Sequence, residues 1–224
     1  MENILTAYTF PLIERYTALS SSLDRKYCRS YGQDRPYMDY LVNGQIDPHT
    51  SEMFCNGSNF EDRYFYVIDL TQDNLKRNIR KSYKSLVNKQ DGIVFSPSIL
   101  GLKKLHHKVA GRKTRSDETW AIQQEMIANG EGFVVELYKD GTLIAAAFFQ
   151  YNKWCCYYAV AASLSGVNSH PVIWAAIEYC QEEGLKRFEL GEKIDIDEKN
   201  KNISNFKAGF GGKLERRLVE KGKE

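Results

Sequence analysis

The sequence predicts an α/β protein built on a mixed, largely antiparallel sheet flanked by helices, and three observations carry that prediction. Three strand-like runs follow one another, EGFVVELYKD (131–140), TLIAAAFFQ (142–150) and KWCCYYAVAA (153–162), with Asp140–Gly141 in the two-residue position favoured by tight hairpins. An apolar-rich helical segment, VIWAAIEYCQEEG (172–184), then separates the third run from another strand-like stretch, KRFELGEK (186–193). A helical crossover of that kind joins parallel neighbours, whereas hairpins join antiparallel ones. Ahead of the meander, SDETWAIQQEMIANG (116–130) reads as a helix marked at both ends, with acidic residues in its first turn and Gly130 after its last.

The remaining elements fall into place around these. Residues 1–62 mix tyrosines, charges and turn formers without a sustained period and close on NGSNFEDR, so they read as an N-terminal segment packed on a main domain spanning 63–224. RYFYVIDL (63–70), rich in β-branched and aromatic residues, is the first strand of that domain. TQDNLKRNIRKSYKSLVNK (71–89) places Leu75, Ile79, Tyr83, Leu86 and Val87 near helical spacing, with Lys76, Arg77, Arg80, Lys81 and Lys84 outward. That basic face is either solvated or touches RNA or nucleotide phosphates. GIVFS is a short strand, and PSILGLKKLHHKVAG a helix starting at Pro97 and ending at Gly111. Thr114-x-x-Asp117 is the capping signature of the helix that follows. Beyond FELGEK come a solvated acidic loop, KIDIDEKNKN, a short helix around Ile203–Ala208, a glycine cluster and a last strand, KLERRLVEK.

Bulk composition narrows the function. The 224 residues are 42% hydrophobic, enough for a substantial core, and the formal net charge of +2 supplies no general attraction for polyanions. The sequence has no apolar run of the ~20 residues a membrane helix needs, and MENILTAYTF lacks a basic region followed by an apolar core. A cytoplasmic protein without membrane insertion is expected. Cys28, Cys55, Cys155, Cys156 and Cys180 are odd in number and show no C-x-x-C pair, which reads as reduced structural thiols. Adjacent Cys155 and Cys156 point to opposite faces of a strand. The histidines form no zinc pattern, and Asp195, Asp197 and Glu198 lack the glycine turn and terminal glutamate of a calcium loop, so no metal is expected.

The element order, together with LKRNIRKSYK (75–84), AGRKTRSDETW (110–120), YYAVAAS (157–163), SHPVIWAAIEYCQEEG (169–184), FELGEK (188–193) and ISNFKAGFGG (203–212), resembles the GNAT acyltransferase fold and, more narrowly, its FemABX-like branch. The resemblance covers roughly residues 64–216. It implies transfer of an acyl or aminoacyl group from an activated carrier to an amine of a cell-envelope, sugar or metabolite precursor. The donor would be a co-substrate rather than a tightly bound cofactor: acyl-CoA, an acyl carrier or aminoacyl-tRNA. Two departures stand out. The Fem proteins pair two such domains, where this chain has room for one, and acyl-CoA GNAT enzymes carry a glycine-rich loop with an arginine or glutamine where SLSGVNSHP has only Gly166. An acyl-CoA-dependent N-acyltransferase of a small amine and a non-catalytic binding domain are the two other readings.

Acyl transfer to an amine requires a held carbonyl, a neutral amine and donors for the oxyanion, and no nucleophilic side chain. In this fold the third meander strand splays from its parallel neighbour, which frees backbone N–H groups near Ala159 to Ala162 for the carbonyl. Tyr157 and Tyr158 point to opposite faces, so one reaches the cleft and the other the core. The FemABX resemblance implies that Phe206 and Lys207, matching that family's Phe-Lys pair, lie at the active site, with the lysine contacting a phosphate-bearing substrate or developing negative charge. The residues also read that way by themselves, since an ammonium followed by Gly209, Gly211 and Gly212 stands where backbone can approach a ligand closely; the alternative is a helix C-cap with a solvated lysine. Arg112 and Arg115 flank a helix start and are candidates for anion binding. Trp120 and Trp174 are either core aromatics or ligand platforms. His170, Glu189 and Glu192 compete as the base that takes the amine's proton.

Overall fold

The computed structural model describes residues 27–28, 60–151 and 155–221, and the side chains of 64–151 and 155–215. The N-terminal segment expected over 1–62 therefore lies outside the described residues, apart from strand β1 (Tyr27–Cys28) and the start of β2 (Phe60–Asp69). The meander comprises β4 (Gly132–Lys139), β5 (Thr142–Tyr151) and β6 (Cys155–Ser163). Asp140 and Gly141 between β4 and β5 both have positive φ, 50° and 72°, as a two-residue hairpin requires. β3 (Ile93–Ser96), β7 (Arg187–Glu192) and β8 (Lys213–Lys221) complete an eight-stranded sheet of order β1-β8-β2-β7-β6-β5-β4-β3. Every pairing is antiparallel except β6 with β7. The mixed, largely antiparallel sheet is as predicted.

Five helices flank it among the described residues: α1 (Lys84–Val87), α2 (Leu100–Ala110), α3 (Asp117–Ala128), α4 (His170–Glu182) and α5 (Glu198–Ala208). Strand alternation splits the core in two. Val135, Leu137, Phe149, Phe188 and Leu190 pack under α4 and the 75–87 segment, while Val134, Phe148 and Val160 pack under α2 and α3. Cys155 and Cys156 go to opposite faces as expected, and Cys155, Cys156 and Cys180 are buried thiols with no disulfide among the described residues.

Four local expectations are corrected. The long helix expected over 71–89 is replaced by two 3-10 turns, Leu75–Arg77 and Lys81–Tyr83, followed by α1. Leu75, Ile79, Tyr83 and Val87 are buried as their spacing requires. A tertiary competitor breaks the helix: the Arg80 backbone is extended (ψ 137°), and its N–H donates to Gly209 O at 2.8 Å instead of to the preceding turn. The helix after Pro97 starts at Leu100, because Ser98 Oγ accepts from Leu100 N and takes over the start. Ser116, not Thr114, caps α3, accepting from Thr119 N at 3.1 Å, whereas Thr114 Oγ1 bonds His106 Nδ1. Part of the acidic loop is helical, with Asp197 as the N-cap of α5 and Asn200 N donating to its Oδ1 at 2.7 Å.

The capping correction is directly measurable. Ser116→Ala should lower unfolding free energy by about 1 kcal/mol, and Thr114→Ala by less than about half of that, in urea denaturation of the two variants. Equal losses would return the cap to Thr114.

Candidate active site

The parallel pairing of β6 with β7 ends early. Cys155, Cys156 and Tyr157 face Arg187, Phe188 and Glu189, and β6 then runs on to Ser163 beside β5 alone among the described strands. The β5–β6 register shifts between Phe148 and Phe149, which leaves Ala159 as an extra residue between Tyr158 and Val160. A bulge there turns the strand and interrupts its ladder. Alternate backbone N–H groups of Ala159 to Ser163 point to the side from which β7 has departed. The side chains along this stretch are mostly alanine.

The side chain of Lys207 reaches the mouth of this gap from the last turn of α5. Its Nζ donates to Glu192 O at 2.9 Å, a charge-assisted bond that fixes the ammonium at the end of β7. A Cβ added to Gly191 would lie 3.1 Å from Lys207 Nζ and 3.7 Å from the Tyr157 hydroxyl oxygen, so ammonium, phenol and a bare stretch of backbone meet at one point. Gly191 has φ 94° and sits where the β2–β7 register shifts between Tyr66 and Val67. Of the two adjacent tyrosines, Tyr157 takes the gap side. Tyr158 packs in the core with its ring 5.7 Å from that of Phe149, and burial pushes its phenol pKa up.

Glu189 is fully buried opposite Tyr157 and accepts from Cys155 Sγ at 3.5 Å. Glu192 contributes its carbonyl to Lys207, and its side chain is half-buried. His170 stands elsewhere, inside an aromatic cluster with ring centroids 4.1 Å from Tyr83, 5.0 Å from Phe206 and 5.9 Å from Phe210. Neither of its ring nitrogens has a hydrogen-bond partner among the described residues, and burial, reinforced by the charge of Arg80, holds its pKa below the ordinary imidazole value. A neutral imidazole enclosed by three aromatic rings supports Phe206 from behind and presents no nitrogen to Lys207.

The glycines that follow Lys207 have packing duties. A Cβ at Gly209 would come within 2.2 Å of the Tyr83 ring, and one at Gly211 (φ 85°) within 2.5 Å of Asn78 O. The space a side chain would need at these two positions is taken by the 75–87 segment. Trp120 and Trp174 are also corrected, since both are buried core residues rather than ligand platforms. Arg115 lies over the Trp120 ring at 6.0 Å, while Arg112 is exposed in the α2–α3 loop. The aromatic cluster ties α5 to α4 and to the 75–87 segment: Phe206 and Phe210 are 5.1 Å apart, and the Arg80 guanidinium donates to Asn205 O at 3.2 Å. Sequence reasoning missed Gly191, Tyr83 and Arg80. Gly191 alone carried a usable signal, as an isolated glycine inside a strand pattern marks a bulge or a close approach.

Among the described residues no group of three or more His, Cys, Asp or Glu side chains is placed to hold a metal ion, and no helix is long and apolar enough to cross a membrane. No family model matches the chain, and no curated protein matches it by sequence. Solved structures do match its fold, FemX among them. FemX aligns with a TM-score of 0.60 at 13% identity, over 84% of this chain and 69% of that one. L-PGS from Bacillus licheniformis aligns at 0.56 and 13% identity, over 83% and 70%. The C-terminal domain of a protein named as a lysylphosphatidylglycerol synthetase from Agrobacterium fabrum aligns at 0.54 and 15% identity, over 78% of this chain and 65% of its own.

The buried state of His170 has a pH signature. The folded pKa lies below 6.5, so on acidification the unfolded chain takes up a proton first. The stability this group contributes is complete above the unfolded value and is lost as pH falls from there to the folded value. His106, lowered by burial and by Arg115 and His107, acts in the same direction. Unfolding free energy should decline as pH falls below the ordinary imidazole value, and His170→Phe should flatten part of that slope in denaturant titrations at each pH. A variant slope as steep as the parent's would refute the enclosed neutral imidazole.

Proposed function

We propose that the protein transfers an acyl or aminoacyl group from an activated carrier to an amine. The single observation that carries this reading is the Lys207 ammonium held beside Tyr157 and Gly191 where β6 and β7 stop pairing. A donor carbonyl entering the gap would meet strand N–H groups already oriented toward it, with no reorganisation needed as negative charge develops. The amine nitrogen attacks the carbonyl carbon and forms a tetrahedral intermediate. Strand N–H groups and Lys207 offset the charge on its oxygen, and collapse of the intermediate breaks the bond to the carrier. The Tyr157 phenol gives its proton to the departing carrier and recovers one from the attacking nitrogen, so the proton balance closes at the residue beside Lys207. Holding both reactants in one gap supplies the proximity on which such a reaction depends.

The fold likeness supports this reading at the level of class. FemX is one neighbour and another is named as a lysylphosphatidylglycerol synthetase, which favours an aminoacyl over a simple acetyl donor. The single glycine of the 163–171 loop points the same way, because a pyrophosphate grip is built from several free backbone N–H groups.

Lys207→Ala should leave the melting temperature nearly unchanged and cut turnover by about a hundredfold, the effect of losing one charge-stabilising donor. Steady-state kinetics and thermal unfolding on the same preparation separate the two effects, and wild-type turnover in that variant would eliminate the mechanism. Donor class is read from thermal shifts with coenzyme A, a carrier-bound acyl group and an aminoacyl-tRNA analogue, since selective binding to the folded state raises its apparent stability.

A further inference from the structure

The opposite end of β7 borders a cavity of about 680 Å³ that the proposed reaction does not use. Its origin is a mismatch in strand length. β8 begins at Lys213, opposite Val67, while β2 continues to Asp69, paired only with β7. The chain entering β8 turns aside through Gly211, and a notch remains beside the last two residues of β2. Arg187 starts β7 at this notch, and Gly191 lies four residues further on, so about 13 Å of strand separates the cavity from the Lys207 gap.

Charges of both signs line the notch, but they are not equally free. Glu215 is in direct ion contact with Arg187, and both side chains are mostly buried. Asp69 accepts from Thr71 N at 3.0 Å, from Thr71 Oγ1 at 2.6 Å and from Gln72 Nε2 at 3.4 Å. Against the upward push of burial, those bonds and Arg187 hold its carboxyl below the usual range, so it stays ionised with its lone pairs engaged. Lys186 and Lys213 also line the cavity, and neither has a carboxylate partner among the described residues. Lys213 opens β8 opposite Val67, and Lys186 immediately precedes β7 at the level of Leu70, so two interstrand spacings and an offset of three residues put them about 14 Å apart at the backbone. Each side chain is long enough to converge on a ligand between them.

We infer that this notch is a second binding site, separate from the Lys207 gap, for a compact dianion such as a phosphate monoester or a short dicarboxylate, held between Lys186 and Lys213. Two ammonium groups without a carboxylate partner among the described residues line one cavity and match two negative charges. Arg187 is neutralised by Glu215 and serves as part of the wall. A monoanion would satisfy only one lysine and bind more weakly.

The test is a chemical-shift titration of the full chain, following the Gly211 amide with inorganic phosphate, succinate and acetate as probes. Saturable shifts are expected with one or both dianions at ~1–10 mM, the range of a few weak polar contacts, and binding of acetate at least about tenfold weaker. The Lys186→Glu, Lys213→Glu double variant, changed only at exposed positions, should lose the saturable shift. Lys207→Ala and the Arg77→Glu, Lys84→Glu double variant should retain it, which separates this site from the reaction gap and from the basic 76–84 segment. Phosphate binding without succinate assigns an ester, the reverse assigns a dicarboxylate, and both together support the dianion class. Absence of any saturable shift, binding unchanged in the Lys186/Lys213 variant, or binding lost with Lys84 would each overturn the site.

Discussion

Everything at the candidate site follows from the shortness of one parallel ladder. β6 and β7 share three residue pairs and then part at Tyr157 and Glu189. Parallel pairing is slightly weaker per residue than antiparallel pairing, and each strand has a stronger antiparallel partner on its other side, β5 for β6 and β2 for β7. The sheet can open at that seam without losing its two halves. Bulges on either side, at Ala159 in β6 and near Gly191 in β7, turn the strands away from each other.

An opening of this kind leaves backbone groups without strand partners, and their desolvation is costly unless a ligand or water meets them. The structure concentrates its rigidity nearby. Tyr83, His170, Phe206 and Phe210 form one aromatic cluster joining the 75–87 segment, α4 and the end of α5. Edge-to-face pairs such as Tyr83–His170 and Phe206–Phe210 contribute about 0.5–1.5 kcal/mol each beyond the area they bury. That cluster holds α5 in place, and α5 in turn sets the reach of Lys207. An aromatic network therefore positions a charge without touching it. Gly209 belongs to the same arrangement, because any side chain there would displace Tyr83.

The two ends of β7 illustrate how one strand can serve different environments. At its start Arg187 is paired with Glu215 across β2, and at its end Gly191 and the Glu192 carbonyl accommodate Lys207. Between them Phe188 and Leu190 face the core, and Glu189 is buried on the other side. Polar groups at that depth are tolerated when hydrogen-bonded, and Glu189 has Cys155 as one such partner.

The amino-acid pattern by itself determined the meander, its Asp140–Gly141 hairpin, the crossover helix and the parallel step to β7, because period, turn chemistry and connection length are local properties. It also singled out Phe206 and Lys207, through a resemblance carried by several short motifs together. Tertiary structure alone decided that 71–89 would not be one helix, since the Gly209 carbonyl that captures the Arg80 N–H comes from a segment more than a hundred residues away. It also decided that Tyr157 rather than Tyr158 faces the gap, because strand alternation specifies opposite faces but not which face the core will claim. The glycines after Lys207 were legible as a special place in the chain, yet their neighbours, Tyr83 and Asn78, were not. Contacts between residues far apart in sequence are settled by packing, and only the folded sheet brings those residues together.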